Sequence, residues 1–144
     1  MSRPVAPFRT RFRHWCRLTL RWADNDAYGH VNNAIYYQWF DSAVNTMLVE
    51  AKLLDIEAGD PIALVVGTSC NYFAPLSFPG EVEVGLAVEK LGRSSVHYAL
   101  GAFAPGSECA AAAGTFTHVA VDRATRRPVP WPEPWKSVYT SIMV

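Results

Sequence analysis

Residues 23–40 read "ADNDAYGHVNNAIYYQWF", a polar stretch of two aspartates, a glycine, a histidine and two asparagines that runs directly into apolar sequence. The change of character marks a boundary. From about Asn33, the residues Ile35, Tyr36, Trp39, Phe40, Ala43, Val44, Met47 and Leu48 recur at spacings of three and four, which predicts a helix burying a wide face. Asn32 or Asn33 suits its N-cap, because an asparagine oxygen accepts from the orphan amides of a first turn. The pattern fades through Ala51–Leu54 and stops near Gly59-Asp60-Pro61.

On either side of this helix the chain reads as strand. Phe12 to Trp22 mixes aromatic and β-branched residues with arginines, as an edge strand does. Ile62–Tyr72 is largely apolar and is broken by Pro75, Pro79 and Gly80. Glu81–Leu91 alternates, with Val82, Val84, Leu86 and Val88 on one face and Glu81, Glu83 and Glu89 on the other. A turn at Leu91–Ser94 leads to Ser95–Phe103, and Pro105-Gly106 leads to a small-residue strand over Cys109–Val121. The Ala110–Ala113 run would also suit a helix, but the hairpin context and the Thr-Phe-Thr-His-Val pattern favour strand. From Arg126 the proline-rich sequence predicts an irregular tail with its tryptophans on the surface. No repeat or second domain shows, so residues 1–144 are expected to form one domain, with its core at about 12–122 and a tail at 126–144.

One helix cannot cover both faces of a five-stranded antiparallel sheet. The uncovered face or edge calls for another copy of the chain, so a homodimer or homotetramer is expected. Thirteen basic residues balance thirteen acidic ones, which disfavours a nucleic-acid partner. Arg3, Arg9, Arg11, Arg13 and Arg17 crowd the N-terminus. A phosphate-binding edge or an organelle-targeting segment would show the same bias, but an exposed arm and strand face accounts for it more simply. No apolar stretch is long enough to cross a bilayer, and the N-terminus lacks a signal-peptide core, so no membrane partner and a cytoplasmic location are expected. Cys16, Cys70 and Cys109 have neither redox nor metal spacing, and His14, His30, His97 and His118 are scattered; no metal site is expected.

Asp24-Asn25-Asp26, then Gly29-His30-Val31-Asn32-Asn33, then Tyr36-Tyr37 entering the helix, resembles the hotdog-fold acyl-CoA thioesterases of the 4-hydroxybenzoyl-CoA thioesterase type. The His-Val-Asn-Asn run is also similar to plant acyl-acyl-carrier-protein thioesterases, and "CNYFAPLSFPGEVEVGLAVEKLGRSSVHYAL" (70–100) looks like the strands that follow the helix in the same family. The likeness spans about residues 15–122. It implies an α+β hotdog fold, a five-stranded antiparallel sheet wrapped around one long central helix and paired with a second subunit. The active site would lie at the subunit interface, with acyl-CoA as substrate and no cofactor beyond the coenzyme A carried by substrate and product. By motif position the catalytic carboxylate maps to Asp26, with Asp24 its structural neighbour.

Thioester hydrolysis needs a nucleophile, or a base that activates water, and a group to hold charge on the carbonyl oxygen. Asp26 can attack directly or deprotonate water. Backbone amides around Gly29 to Asn33, at the positive end of the helix dipole, suit the oxygen, and Gly29 lets the backbone approach closely. His30 either holds the loop or binds the carbonyl. Asn32 joins Asp26 and His30 as a candidate catalytic residue, and Asn32 or Asn33 caps the helix. Gly29, Val31, Asn33 and Tyr36 are the candidate substrate contacts, while Tyr37, Trp39 and Phe40 belong to core and interface. Arg93 and Ser94 form a turn where the family often meets the nucleotide end of coenzyme A, and a guanidinium suits phosphate. Ser69, Asn71 and the Pro75–Pro79 segment are candidates for the pantetheine arm. The benzoyl-type enzymes carry apolar and aromatic residues where this chain has His-Val-Asn-Asn, which favours an aliphatic acyl group.

Three competing readings remain on the same scaffold. A hydratase places histidine five residues after its aspartate, whereas His30 follows Asp24 by six and Asp26 by four. A non-catalytic acyl-CoA-binding module would not need the intact Asp26. An acyl-carrier-protein thioesterase would share the whole site.

Overall fold

The computed structural model describes residues 3–144. Five strands, β1 (His14–Thr19), β2 (Ile62–Tyr72), β3 (Glu81–Leu91), β4 (Ser95–Phe103) and β5 (Ala112–Val121), form one antiparallel sheet in the order β1-β3-β4-β5-β2. Helix α1 (Ile35–Glu50) lies against its inner face, giving the α+β hotdog arrangement of a sheet around a long helix. The alternation along β3 explains the contact: Val82, Val84, Leu86 and Val88 all point inward and are fully buried. They meet Phe40, Ala43, Val44 and Leu48 of α1, which are equally shielded. Each buried side chain of this kind contributes about 1.5–3 kcal/mol.

Several boundaries differ from the sequence reading. β1 stops at Thr19 rather than Trp22, because Trp22–Asp24 closes into a 3-10 turn. The helix begins two residues later than expected, at Ile35. β5 begins at Ala112 rather than Cys109, while the amide of Ala110 binds the carbonyl of Pro7 and that of Ala111 binds Ala102.

The tail is the main correction. It holds a second helix, α2 (Glu133–Ser141), and its tryptophans are buried rather than superficial: Trp131 is 2% and Trp135 5% exposed. Pro132 and Pro134 stand at the start of the helix, where no intrahelical N–H is needed and a fixed φ helps initiation. Trp131 stacks on Trp135 with centroids 5.3 Å apart, and Tyr139 meets Tyr98 of β4 edge-on at 5.8 Å. α2 therefore extends the layer begun by α1. Beyond it, the carbonyl of Ile142 and the amide of Val144 bind Val88, so the C-terminal residues continue the β1 edge of the sheet.

His118 of β5 lies within this layer, 1% exposed, its ring against Phe116 and Tyr98. Burial disfavours the imidazolium and lowers its pKa from 6.5 to about 4. Between those values the unfolded chain binds a proton that the folded chain refuses, so stability falls as pH drops through that window. Urea unfolding at successive pH values should show a slope approaching about 1.4 kcal/mol per unit between pH 6 and 5. That component should vanish in His118→Phe; an unchanged slope would place the titration elsewhere.

The outer face is closed in part by the chain's own N-terminal arm. The amide of Arg9 binds the carbonyl of Glu108 at 2.8 Å. Phe12 settles over Gly85 and Gly101, which face each other across β3 and β4. A Cβ at either glycine would come within 2.8 Å of Phe12, so only glycine leaves room for the ring. Three of the N-terminal arginines are paired with carboxylates: Arg9 and Arg17 reach Glu83 at 2.8 and 3.2 Å, and Arg11 reaches Glu89 at 3.3 Å, while Arg13 donates to the carbonyl of Thr10. The Glu83 carboxyl is held below its usual range, first by the amide of Gly106 and then by these guanidiniums. β2 is different. It is the opposite edge, it runs eleven residues, and it exposes Leu64, Val65, Val66 and Tyr72. Among the described residues, no helix is long and apolar enough to cross a membrane.

Candidate active site

The loop between β1 and α1 is a tight reversal. Asn25 bridges to Val31, the amide of Asp26 binds the carbonyl of His30 at 2.8 Å, and Gly29 turns the chain with φ of +80°. That positive φ suits glycine and strains other residues. Three bonds pin the loop to the segment before β3: Val31 N–H to Leu76 O, Ser77 Oγ–H to Gly29 O, and Phe78 N–H to Asn25 Oδ1. The loop is thus held from both sides, as a site of fixed geometry requires.

The two aspartates have different environments. Asp24 is 1% exposed, and its carboxylate accepts from the backbone amide and from Nε and Nη2 of Arg21 at 2.8–3.1 Å. Its carbonyl takes the amide of Asn32. Asp24 is therefore a structural clasp between strand end and helix start. Asp26 is half-buried at the loop tip, and its Oδ1 accepts from the amides of Tyr28 at 2.8 Å and His30 at 3.4 Å. Its Oδ2 takes no hydrogen bond from the described residues.

The helix start can be accounted for amide by amide. Gly29 donates to Asp26 O, His30 to Asp26 Oδ1, Val31 to Leu76 O and Asn32 to Asp24 O. Ala34 donates to Asn32 Oδ1 at 2.9 Å and Ile35 to Asn32 O, so Asn32 holds the turn leading into α1. The N-cap itself is Ala34, one residue beyond the expected asparagines, and makes no side-chain cap bond. The sequence suggested several free donors between Gly29 and Asn33. Among the described residues, the Asn33 N–H alone in that run lacks an acceptor.

Asp26, His30, Val31, Asn33 and Tyr36 line an open cleft of about 470 Å³ together with Tyr72, Phe73, Ala74 and Pro75. Tyr36 is 3% exposed, and burial, followed by the neighbouring Cys70, pushes its phenol up to about 12. Tyr72 is raised further by the same two causes in the same order. Both phenols thus stay protonated at working pH. Seven of the residues singled out from the sequence, Asp26, Gly29, His30, Val31, Asn32, Asn33 and Tyr36, sit together around this loop and helix start.

Arg93 and Ser94 do not join them. Their turn lies at the opposite end of β3, ~33 Å along a strand of this length. There, Ser94 O receives the amide of Ala120 and Arg93 O that of Trp131. Ser69 and Asn71 pair with Thr115 and Ala113 and open into a separate groove of about 590 Å³ under the N-terminal arm, which shares only Phe73 with the Asp26 cleft. Tyr72 and Phe73, which complete the cleft, were not among the sequence candidates. Their signal is two aromatic residues closing an edge strand just ahead of Pro75.

Known proteins share this fold. The sequence profile of the thioesterase-like superfamily matches residues 20–138. The crystal structure of the PA5185 protein from Pseudomonas aeruginosa is 47% identical, with a TM-score of 0.93 over 96% of this chain and 97% of that one. A 1,4-dihydroxy-2-naphthoyl-CoA thioesterase from Synechocystis shares the fold at 22% identity, with a TM-score of 0.78 over 88% of this chain and 94% of its own. A proposed thioesterase from Pseudomonas aeruginosa, the PA2801 protein, is 28% identical, with a TM-score of 0.79 over 86% and 95%. No curated protein matches the chain. With the profile covering most of its length and the hotdog sheet wrapped around α1, the chain belongs to the thioesterase-like superfamily.

Proposed function

We propose that this protein hydrolyses acyl-CoA thioesters to the free acid and coenzyme A, with Asp26 as the reacting carboxylate. One observation carries the reading: among the described residues, an Asp26 oxygen without a hydrogen bond and an Asn33 N–H without an acceptor belong to residues lining the same cleft. The amide holds the thioester oxygen as it gains charge. Either Asp26 adds to the carbonyl, expelling the coenzyme A thiolate and leaving a mixed anhydride for water to open, or it takes a proton from the water that adds. Label found in Asp26 after a single turnover in heavy-oxygen water marks direct attack, with water opening the anhydride at the aspartyl carbonyl; water adding at the acyl carbon labels the free acid by either route. His30, whose amide and carbonyl both bind Asp26, holds the carboxylate in place, and Asn32 fixes the helix start. Val31 and Tyr36 line the cleft for the acyl group, and Gly29 shapes the loop that carries Asp26.

The acting unit is a cytoplasmic homo-oligomer. Free Cys16, Cys70 and Cys109 suit a reducing compartment, and the exposed β2 edge suits antiparallel pairing with its own copy. Such pairing lays the partner's Ile62 end beside this chain's Tyr72 end. The partner's Arg93 and the partner's Ser94 then lie at the same end of the joint sheet as the Asp26 cleft, within reach of the nucleotide of a bound coenzyme A. Thiol release over a panel from acetyl- to palmitoyl-CoA, with benzoyl- and phenylacetyl-CoA, tests the activity. Turnover that varies with acyl type supports the reading; binding without release from any member refutes it.

A further inference from the structure

We infer that Tyr72 is a positioning residue for the hydrolysis, holding the Asn33 peptide whose N–H receives the thioester oxygen. The inference rests on the function proposed for the Asp26 cleft and adds a residue from a distant part of the chain.

Tyr72 is the last residue of β2, and its hydroxyl lies 2.7 Å from the carbonyl oxygen of Asn33, 39 residues earlier. The direction of this bond is fixed, because a carbonyl only accepts and the phenol holds the hydrogen. A proton committed to Asn33 is unavailable to the substrate. The hydroxyl therefore acts through the backbone and is neither an acid nor a direct oxyanion donor.

The neighbouring bonds show why this tether is needed. Asn32 is held twice, by its amide on Asp24 O and by its side chain on the amide of Ala34. Both lie on the loop side of the helix start. Asn33 follows, its N–H without an acceptor among the described residues, and the bond from Tyr72 reaches it from the end of β2, which lines the same cleft. The ring of Tyr72 is itself oriented by an edge-on contact with Tyr36 at 5.1 Å, and Tyr36 is 3% exposed on the first turn of α1. The hydroxyl and the ring thus bind the same helix start at two points. Hydrogen bonds weaken steeply as they bend, so a donor that drifts loses most of its value to the developing oxyanion. The tether also links the site to the sheet edge, since β2 is the strand left open for a second copy.

The test uses the full-length protein and its best acyl-CoA from the panel, comparing wild type, Tyr72→Phe, Tyr72→Ala and Asp26→Asn. Tyr72→Phe removes one hydrogen bond and keeps the ring, so the melting temperature, measured alongside, should fall by only a few degrees. Removing one oxyanion donor costs 10²–10³ in kcat, and loosening it in Tyr72→Phe should cost about tenfold, with KM within about twofold and the pH profile unshifted. Tyr72→Ala, which loses the cleft wall as well, should also raise KM. An unchanged kcat in Tyr72→Phe would overturn the inference, as would a rise in KM alone, which marks a binding wall. Loss of the alkaline limb of the profile would also overturn it, by making the phenol a proton donor. If Asp26→Asn is inactive while Tyr72→Phe is fully active, this inference fails alone. If wild type hydrolyses nothing, or Asp26→Asn keeps its rate, the underlying reading fails and takes the inference with it.

Discussion

Asp26→Asn should fold and assemble normally yet lose about 10²-fold or more of its thioester-hydrolysing rate, the range set by removal of a base or nucleophile from the chemical step. Asparagine is the informative replacement here. Its side-chain oxygen can still accept from the amides of Tyr28 and His30, so the loop keeps its shape, while the second oxygen becomes an uncharged amide that neither attacks nor takes a proton. Thiol release under saturating substrate, with the melting temperature measured alongside, separates chemistry from folding. Near-normal turnover in this variant would remove Asp26 from the mechanism. Asp24 makes the contrast: its carboxylate is 1% exposed and fully engaged with Arg21, so a rate loss there would report a loosened loop rather than a missing reactant.

Trp131→Ala should destabilise the fold by about 3 kcal/mol, read as a shift of the urea midpoint. Large aromatic truncations in a core cost ~3–5 kcal/mol. Trp131 is 2% exposed, stacked on Trp135 and set edge-on to Tyr139 at 5.1 Å. The low end of the range applies because its indole N–H is buried without a partner, and removing it relieves that cost. A shift near zero would mean that the C-terminal segment is peripheral, as its prolines had suggested.

The contrast between α1 and α2 shows what pattern reading can reach. α1 buries one face through seven residues at regular three-and-four spacing, and the alternation of β3 has one face in the core and one carrying paired glutamates, so both are visible in the order of residues alone. α2 is nine residues long and opens with prolines, which read as breakers unless one knows that they stand at the helix start. The site divides in the same way. The loop from Asp26 to Asn33 is legible because its glycine, asparagines and aspartates have local backbone duties. Tyr72 joins it only through the strand pairing that returns the chain to the same end of the sheet, and no local pattern encodes that. Which amide remains free is likewise a product of the tertiary bonds to Leu76 and Asp24.

If copies pair through the sheet as proposed above, its two edges set how far that pairing extends. The β1 edge is short, followed in space by the C-terminal residues bound to Val88 and lined with Arg11 and Arg17, and such charges discourage strand addition. Only β2 is long and open. A sheet with two open edges can add copies from either side and grow into a filament. With one open edge, the antiparallel pairing proposed above is self-complementary and stops at two, because each partner then offers only its guarded side. In that assembly the arginine-bearing edge would act as a chain terminator for edge-to-edge pairing, leaving the sheet faces to form any larger oligomer.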